Sequence, residues 1–140
     1  MEYISNNVNE TKEIAAEFAK KLSSGDVICM YGDLGAGKTA FVQGLAVGLE
    51  IEEPITSPTF TIVNEYSGKL PLYHFDVYRI ADSEEMYEIG YDEYVYGEGV
   101  SIIEWSELIE DILPENHYSV TILKDSAMHD DYRKIIIEKV

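Results

Sequence analysis

One segment constrains the fold of this chain more than any other. Residues 32–39 read Gly-Asp-Leu-Gly-Ala-Gly-Lys-Thr and match the pattern G-x-x-x-x-G-K-[ST] in full. In that pattern backbone N–H groups surround phosphates, the lysine (Lys38) reaches the β- and γ-phosphates, and the hydroxyl residue (Thr39) holds Mg²⁺. Gly32 and Gly37 allow the positive φ angles that turn those N–H groups inward. The segment therefore predicts a phosphate-binding loop.

The sequence on either side of this loop supplies the context that the motif requires. Residues 26–31 (Asp-Val-Ile-Cys-Met-Tyr) predict a buried strand, and residues 40–45 (Ala-Phe-Val-Gln-Gly-Leu) open a helix. The N-terminus of that helix adds free N–H groups and the positive end of the helix dipole. The alternative is a chance glycine-rich turn, which the strand–loop–helix order disfavours.

The charge of the chain limits what it can bind directly. Its 140 residues carry 10 Lys and Arg against 27 Asp and Glu, a formal net charge of −17. A surface this acidic repels nucleic-acid phosphates and anionic membranes, so a partner must make any contact with nucleic acid. Only two residues are arginines, Arg79 and Arg133, which is few for an enzyme that clamps several phosphates alone. The length predicts a single domain over residues 1–140.

Cysteine usage and the absence of sorting signals predict a soluble cytoplasmic protein. The single cysteine, Cys29, lies in the apolar strand before the loop and is expected to be a small buried hydrophobe rather than a reactive thiol. One cysteine permits no intrachain disulfide, which suits a reducing compartment. The first residues lack a basic and apolar leader, and no apolar run reaches transmembrane length.

Hydrophobic periodicity along the chain predicts an α/β fold. The expected strands are Glu2–Ser5, Asp26–Tyr31, Phe60–Tyr66, Leu70–Tyr78, Val100–Ile103, Tyr118–Leu123 and Tyr132–Val140. The expected helices are Thr11–Leu22 with Asn9 or Thr11 as cap, Lys38 to about Leu49, one or two short helices within Ser83–Tyr94, and one through Leu108–Leu113 stopped by Pro114. Together they predict a P-loop NTPase-like domain with a mainly parallel sheet, an antiparallel hairpin over residues 60–78, and helices on both faces.

Two acidic residues are candidates for chemistry beside the phosphate loop. Asp76 lies in an apolar strand, where aspartate is rare, and a carboxylate there can polarise an attacking water or hold a metal-bound one. Its alternative is a strand residue that faces solvent, since alternation places His74, Asp76 and Tyr78 on one face. Glu104 follows a core strand, at the edge that faces the ligand crevice in open α/β sheets. It is a Mg²⁺ candidate, and alternatively an acid that stabilises a helix N-terminus.

Further residues have more than one interpretation each. Residues 56–59 (Thr-Ser-Pro-Thr) occupy the position of a γ-phosphate-sensing switch, or form a proline-stiffened connector. His74 is catalytic or makes a structural hydrogen bond. Trp105 covers a nucleotide, forms a contact surface or simply packs. Tyr87, Tyr91, Tyr94 and Tyr96 are expected to pack half-buried rather than stack on bases.

Three uses of a phosphate loop can be compared from the sequence. A GTPase requires an N-K-x-D stretch to read guanine, and none is present. A small-molecule kinase requires a lid with several arginines. An ATPase whose slow hydrolysis is completed by a partner, and a nucleotide-sensing module without catalysis, both stay open.

Four segments in this order resemble the TsaE (YjeE) family of bacterial ATPases. They are residues 32–39, 57–61 (Ser-Pro-Thr-Phe-Thr), 72–79 (Leu-Tyr-His-Phe-Asp-Val-Tyr-Arg) and 103–105 (Ile-Glu-Trp), and the resemblance covers essentially the whole chain. It implies an ATPase needed for threonylcarbamoyladenosine formation at position 37 of ANN-decoding tRNAs. It further implies action on a TsaD–TsaB complex, where ATP binding and hydrolysis support repeated turnover without transfer of the threonylcarbamoyl group by this protein.

The resemblance also assigns roles to residues. It implies ATP and Mg²⁺ as ligands, with Lys38 on the phosphates, Thr39 and Glu104 on Mg²⁺, and Asp76 assisting hydrolysis. The nucleotide-binding residues it implies are Thr11 near the adenine, Gly35, Ala36, Gly37, Lys38, Thr39, Ala40 and Trp105. Arg133 matches a family arginine to which no role is assigned. TsaD and TsaB are the implied partners, and tRNA is met only through them.

Overall fold

The computed structural model describes residues 1–32, 36–56, 58 and 62–140 of the chain. Among them the strands are β1 (Glu2–Ser5), β2 (Val27–Gly32), β3 (Val63–Tyr66), β4 (Leu72–Asp76), β5 (Val100–Glu104), β6 (Tyr118–Leu123) and β7 (Arg133–Lys139). The helices are α1 (Val8–Ala19), α2 (Lys38–Gly48), α3 (Glu85–Glu88), α4 (Tyr91–Val95) and a 3₁₀ helix (Ser106–Ile112).

The described strands form one seven-stranded sheet in the order β1-β7-β6-β2-β5-β4-β3. The four central strands, β6, β2, β5 and β4, pair in parallel. The outer strands β1, β7 and β3 pair antiparallel. The predicted α/β class is therefore confirmed, including the parallel centre and the antiparallel β3–β4 hairpin.

Helices cover both faces of the sheet, as predicted. Side chains alternate along each central strand, so that Ile28 and Met30 of β2 face α1 and α2, while Val27 and Cys29 face α3 and α4. Cys29 is fully buried, and burial raises the pKa of its thiol to about 12. The prediction of a small buried hydrophobe at this position is confirmed.

The first helix begins earlier than the sequence predicted. Asn7 is its N-cap, in extended conformation, and its side-chain oxygen accepts from the Glu10 backbone N–H at 2.9 Å. Glu10 in turn accepts from the Asn6 backbone N–H at 2.8 Å. This reciprocal capping three residues apart is what fixes the helix start, and the predicted caps Asn9 and Thr11 lie inside the helix.

Other elements also differ from the sequence prediction in extent or type. Strand β4 covers only Leu72–Asp76, because Pro71 has no N–H to donate and the Asp76 carboxylate accepts from the Tyr78 N–H at 3.0 Å, which turns the chain. The predicted helix before Pro114 is a 3₁₀ helix interrupted at Ile109. Strand β3 begins at Val63, and the predicted strand residues Phe60 and Thr61 lie outside the described part.

Two of the four tyrosines between residues 87 and 96 pack against the sheet face that is covered by α3 and α4. Tyr91 is fully buried and meets Phe75 edge-on, and Tyr94 packs edge-on against Tyr73 with ring centroids 4.9 Å apart. Tyr87 and Tyr96 are half or more exposed. Within the described residues, no helix is both long and apolar enough to cross a membrane.

Candidate functional site

The phosphate loop connects β2 to α2 at the carboxyl edge of the sheet. Of its eight residues the structure describes Gly32 and residues 36–39; Gly35, predicted to bind the nucleotide, lies outside the described part together with Asp33 and Leu34. Gly32 has φ 137° and Gly37, the N-cap of α2, has φ 102°. Both values lie where only glycine is unstrained, as predicted. A side chain at Gly32 would also collide with the Ile122 carbonyl.

Lys38, the first residue of α2, lies against the tryptophan. Its Nζ is 4.4 Å from the centroid of the Trp105 ring, and the residue is only 7% exposed. Trp105 has φ 64°, a left-handed conformation that costs a bulky residue on the order of 1–3 kcal/mol. The Tyr78 ring also contacts Trp105, with the two ring centroids 4.7 Å apart. The only tryptophan therefore contacts the phosphate-loop lysine while it packs against the edge of the second core cluster.

Two carboxylates end the two strands that follow β2 on one side of the sheet, β5 and then β4. Asp76 of β4 and Glu104 of β5 are direct register partners in a parallel pair, so their side chains share one face of the sheet. That face is the one covered by α2, since Ile102 of β5 packs with the α2 cluster. Glu104 is 6% exposed, whereas Asp76 is half-buried. Both predicted acids therefore lie at the edge that carries Lys38.

His74 lies on the same face and is fully buried. Its Nε2 is 2.6 Å from the Glu104 Oε2. Of the two interpretations from sequence, a hydrogen bond inside the protein is the one observed. Sequence alternation placed His74 with Asp76 correctly, and the alternative in which this face is open to solvent does not hold at His74, which is fully buried.

The oxygen donors at this edge suit a magnesium ion. Glu104 offers a carboxylate with one oxygen free of hydrogen bonds among the described residues, and Thr39 offers an exposed hydroxyl. Within the described part no group of three or more His, Cys, Asp or Glu side chains could hold a metal by itself. Mg²⁺ commonly binds through one or two protein oxygens completed by phosphates and water, so the donor set fits that ion.

A shallow depression next to the phosphate loop is lined by four of the residues that are predicted to bind the nucleotide. It is lined by Asn7, Val8, Thr11, Ala36, Gly37, Ala40, Asp131 and Arg133. Thr11 is nearly buried, and its hydroxyl is paired with the Ser5 hydroxyl at 2.7 Å. The depression brings Thr11, Ala36, Gly37 and Ala40 together, and their contact with a nucleotide stays a prediction.

Arg133 is a residue of this site that sequence reasoning left without a role. Its Nε donates to the Ala36 carbonyl at 2.8 Å, and Nη1 donates to the carbonyls of Asp130 and Tyr132 at 2.6 and 2.7 Å. A lone arginine at the start of the last strand gives no local signal for a contact so distant in sequence.

The predicted switch segment is only partly described. The Thr56 carbonyl accepts from Asn64 Nδ2 at 3.1 Å and from the Tyr66 hydroxyl at 3.2 Å, which attaches the start of the segment to β3. Ser57 and Thr59 lie outside the described part. Sensing of a γ-phosphate by this segment stays a prediction.

Comparison with known proteins gives a consistent set of similarities. The family model "Threonylcarbamoyl adenosine biosynthesis protein TsaE" matches residues 5–135. A Bacillus subtilis protein named tRNA threonylcarbamoyladenosine biosynthesis protein TsaE is 47% identical over 135 residues, covering 96% of this chain and 82% of the relative. The Treponema pallidum protein of the same name is 48% identical over 122 residues, covering 87% and 89%. The crystal structure of Bacillus subtilis YdiB superposes with a TM-score of 0.81 at 42% identity, covering 100% of this chain and 85% of that one.

Proposed function

Because this chain belongs to the TsaE family of threonylcarbamoyl adenosine biosynthesis proteins, we propose that it is a Mg²⁺-dependent ATPase of that pathway. TsaE proteins take part in forming threonylcarbamoyladenosine in tRNA. The finer proposal is that ATP binding and hydrolysis here support repeated turnover of a TsaD–TsaB complex at position 37 of ANN-decoding tRNAs. A cytoplasmic location follows from that tRNA substrate.

The observation that carries this proposal is the meeting of three charged side chains at one sheet edge. Lys38 begins the helix behind the phosphate loop, Glu104 ends the neighbouring strand β5, and Asp76 ends β4, the next strand along. A phosphate loop alone binds nucleotide, whereas hydrolysis also needs groups that hold the metal and orient water near the transferred phosphoryl group. We assign these two tasks to the two carboxylates.

Each residue has a distinct part in the proposed reaction. Lys38 and the N–H groups at the start of α2 bind and neutralise the β- and γ-phosphates. Glu104 and Thr39 would hold Mg²⁺, which when bound neutralises charge on the phosphate oxygens. Asp76 orients the water that attacks the γ-phosphorus; the bond to the β,γ-bridging oxygen breaks, and ADP leaves. The proton of the water passes to Asp76 or to the released phosphate.

The partner is proposed to raise a low intrinsic rate. Phosphoryl transfer is usually accelerated by an arginine that neutralises charge in the transition state. Arg133 already donates to three backbone carbonyls, so we assign it to the loop rather than to the γ-phosphate. TsaD–TsaB then completes the site or releases the product, and carries the tRNA that this acidic chain repels.

A nucleotide-sensing module without hydrolysis is the second candidate. The contact of Lys38 with Trp105 favours it, because a nucleotide that displaces the lysine would change the surface around the tryptophan. In that case binding, and not cleavage, is the signal to the partner.

A tRNA-modification assay with TsaB, TsaD and TsaC tests the proposal. Wild type should sustain multiple turnover with ATP, whereas Lys38→Ala and Glu104→Ala should not. Lys69→Ala, which removes a positive charge in the β3–β4 turn, is the matched control and should behave as wild type. Multiple turnover with both site variants would refute the assigned roles, and turnover with a non-hydrolysable ATP analogue would favour the sensing module.

A further inference from the structure

The buried histidine beside the proposed metal-binding carboxylate has no role in the mechanism above. His74 is in the middle of β4, 0% exposed, on the face covered by α2. Among the described residues its ring makes a single polar contact, from Nε2 to Glu104 Oε2 at 2.6 Å. The other ring nitrogen, Nδ1, is buried and has no hydrogen-bond partner in the described part of the chain.

This arrangement is unfavourable for stability considered alone. A buried polar atom without a partner costs free energy that an apolar residue of similar shape would not. The neighbouring strand residues Leu72 and Phe75 show that β4 otherwise buries apolar side chains. A histidine here is therefore best explained by what its one hydrogen bond does.

The hydrogen bond fixes one oxygen of Glu104. An ionised carboxylate only accepts, so Nε2 carries the proton and donates it. Oε2 is thereby occupied, while Oε1 has no hydrogen bond among the described residues. Because Glu104 is 6% exposed at the end of β5, the carboxylate has little room to adopt another orientation once Oε2 is held.

We propose that His74 is a positioning residue that orients Glu104 toward the nucleotide-bound Mg²⁺. Partners of this kind hold metal-binding carboxylates in the geometry that the ion requires, and their loss typically lowers metal affinity about 10- to 100-fold. The inference rests on the proposed function, since it assumes that Glu104 serves Mg²⁺. It predicts that His74 controls how much Mg²⁺ strengthens nucleotide binding, and not nucleotide binding itself.

The test measures that strengthening directly, without catalysis. The dissociation constant of a non-hydrolysable ATP analogue is determined by calorimetry with excess Mg²⁺ and again with excess EDTA. The ratio of the two constants is the metal-dependent gain. His74→Leu should reduce this gain about 10- to 100-fold, while the constant in EDTA stays within about twofold of wild type.

Two further variants separate positioning from folding. His74→Gln offers an amide N–H to the carboxylate and should recover at least part of the gain, which a general packing role would not produce. Ser101→Ala is the matched control, because the Ser101 hydroxyl is also buried and unpartnered in the described part but lies on the neighbouring strand β5. It should leave the gain unchanged.

A double-mutant cycle shows whether His74 acts through Glu104. In a Glu104→Gln background, adding His74→Leu should cause no further loss of the gain. Full additivity of the two losses would overturn the inference, as would an undiminished gain in both His74→Leu and His74→Gln. If His74→Leu does not fold, His74→Ala replaces it in both the gain measurement and the cycle, with the same expected loss and the same contradicting outcomes.

Failure of the inference and failure of the proposed function are distinguishable. The proposed function fails if wild type binds no nucleotide, or if Lys38→Ala leaves binding unchanged; absence of binding in wild type overturns the inference as well. The inference alone fails if wild type shows the metal-dependent gain, Glu104→Gln removes it, and the His74 variants keep it.

Discussion

Arg133 donates a hydrogen bond from Nε to the carbonyl oxygen of Ala36 at 2.8 Å, although 97 residues separate the two in sequence. Ala36 is a fully buried residue of the phosphate loop, and Arg133 is the first residue of β7. The same guanidinium is held in place by the carbonyls of Asp130 and Tyr132. The first residue of β7 therefore holds the Ala36 end of the phosphate loop in place.

Removal of this contact should weaken nucleotide binding without unfolding the protein. Hydrogen bonds from charged groups contribute about 1.5–3 kcal/mol, so Arg133→Ala should raise the dissociation constant of ADP about tenfold or more, because the loop is no longer held in its binding conformation. Calorimetric titration with ADP measures this dissociation constant. Lys134→Ala is the control, since Lys134 makes only a partly exposed ion pair with Glu2 at 3.6 Å; equal affinities for the two variants would contradict the role of Arg133.

The sequence predicted the sheet and its edge residues because these depend on local patterns. Strand–loop–helix order predicted β2 and α2, and period-two alternation placed His74 and Asp76 on one face. The apolar run before Glu104 placed it at the carboxyl end of a core strand, where β5 ends. Parallel pairing of β4 with β5 then brings Asp76 opposite Glu104. The proximity of these two carboxylates follows from strand pairing and requires no separate signal in the sequence.

What the sequence could not predict are contacts between distant segments. The His74–Glu104 and Arg133–Ala36 hydrogen bonds join segments that are 30 and 97 residues apart in sequence, and they depend on how the fold brings those segments together. The start of α1 was missed for a local reason, because Asn7, Asn9 and Thr11 are all acceptable caps and only the reciprocal partner Glu10 selects Asn7. The left-handed conformation of Trp105 has no sequence signal either.

Binding of nucleotide should change the fluorescence of Trp105, the only tryptophan. Its ring lies 4.4 Å from the Lys38 ammonium, and phosphates that bind Lys38 would move that charge from the indole face. We expect a saturable change in emission on titration with ADP. Lys38→Ala should abolish the change and Lys69→Ala should retain it; an identical response in Lys38→Ala would show that the contact is not involved.

Alkaline pH above about 9 should destabilise the protein, because three buried groups resist ionisation. Burial raises the pKa of Cys29 from 9.0 to about 12 and that of Tyr31 from 10.0 to about 12, and it also raises the pKa of Tyr91. Above pH 9 the unfolded chain therefore releases protons that the folded chain retains, and the free energy of unfolding falls as pH rises. Below pH 9 the contribution of these groups to stability is fully present.

Urea denaturation at about pH 8 and about pH 11 measures this loss. Cys29→Ala provides the internal comparison, because the thiol is the first of these groups to ionise in the unfolded chain. The variant should be less stable at pH 8, owing to lost packing, but should show a shallower decline between pH 9 and 10. Equal unfolding free energies of wild type at the two pH values would contradict the prediction.

Close packing of the first two helices depends on Gly44 of α2. A Cβ at this position would collide with the Lys12 carbonyl of α1, so Gly44→Ala forces the helices apart. Overpacking of this kind costs about 1–3 kcal/mol, which exceeds the roughly 1 kcal/mol that alanine gains in a helix. Urea denaturation should show a net loss, whereas Val47→Ala, at a 68% exposed position of the same helix, should change stability by no more than about 0.5 kcal/mol.

The face formed by α3, α4 and the 3₁₀ helix is the most acidic part of the chain. From Ile80 to Leu123 the sequence contains no lysine or arginine, and Glu88, Glu107 and Glu110 are exposed there. Opposite charges on a partner steer association and make its rate sensitive to salt.

If the proposed TsaD–TsaB partner approaches this face, reversing its charge should slow association. The triple variant Glu88→Lys, Glu107→Lys and Glu110→Lys should lower the association rate constant about tenfold or more at low ionic strength, with the difference shrinking as salt is added. Stopped-flow or surface-based kinetics with the purified TsaD–TsaB complex measure both effects.

The same change in charge on the opposite side of the molecule is the control. Glu13 of α1, Glu50 just after α2 and Glu52 in the connector that follows are also exposed, next to the two helices on the other face of the sheet, so their triple replacement by lysine alters the net charge of −17 by the same amount. Long-range attraction depends on net charge, whereas steering depends on where the charge lies. Equal slowing by both triple variants would mean that net charge alone sets the rate, and that the acidic face is not where the partner binds.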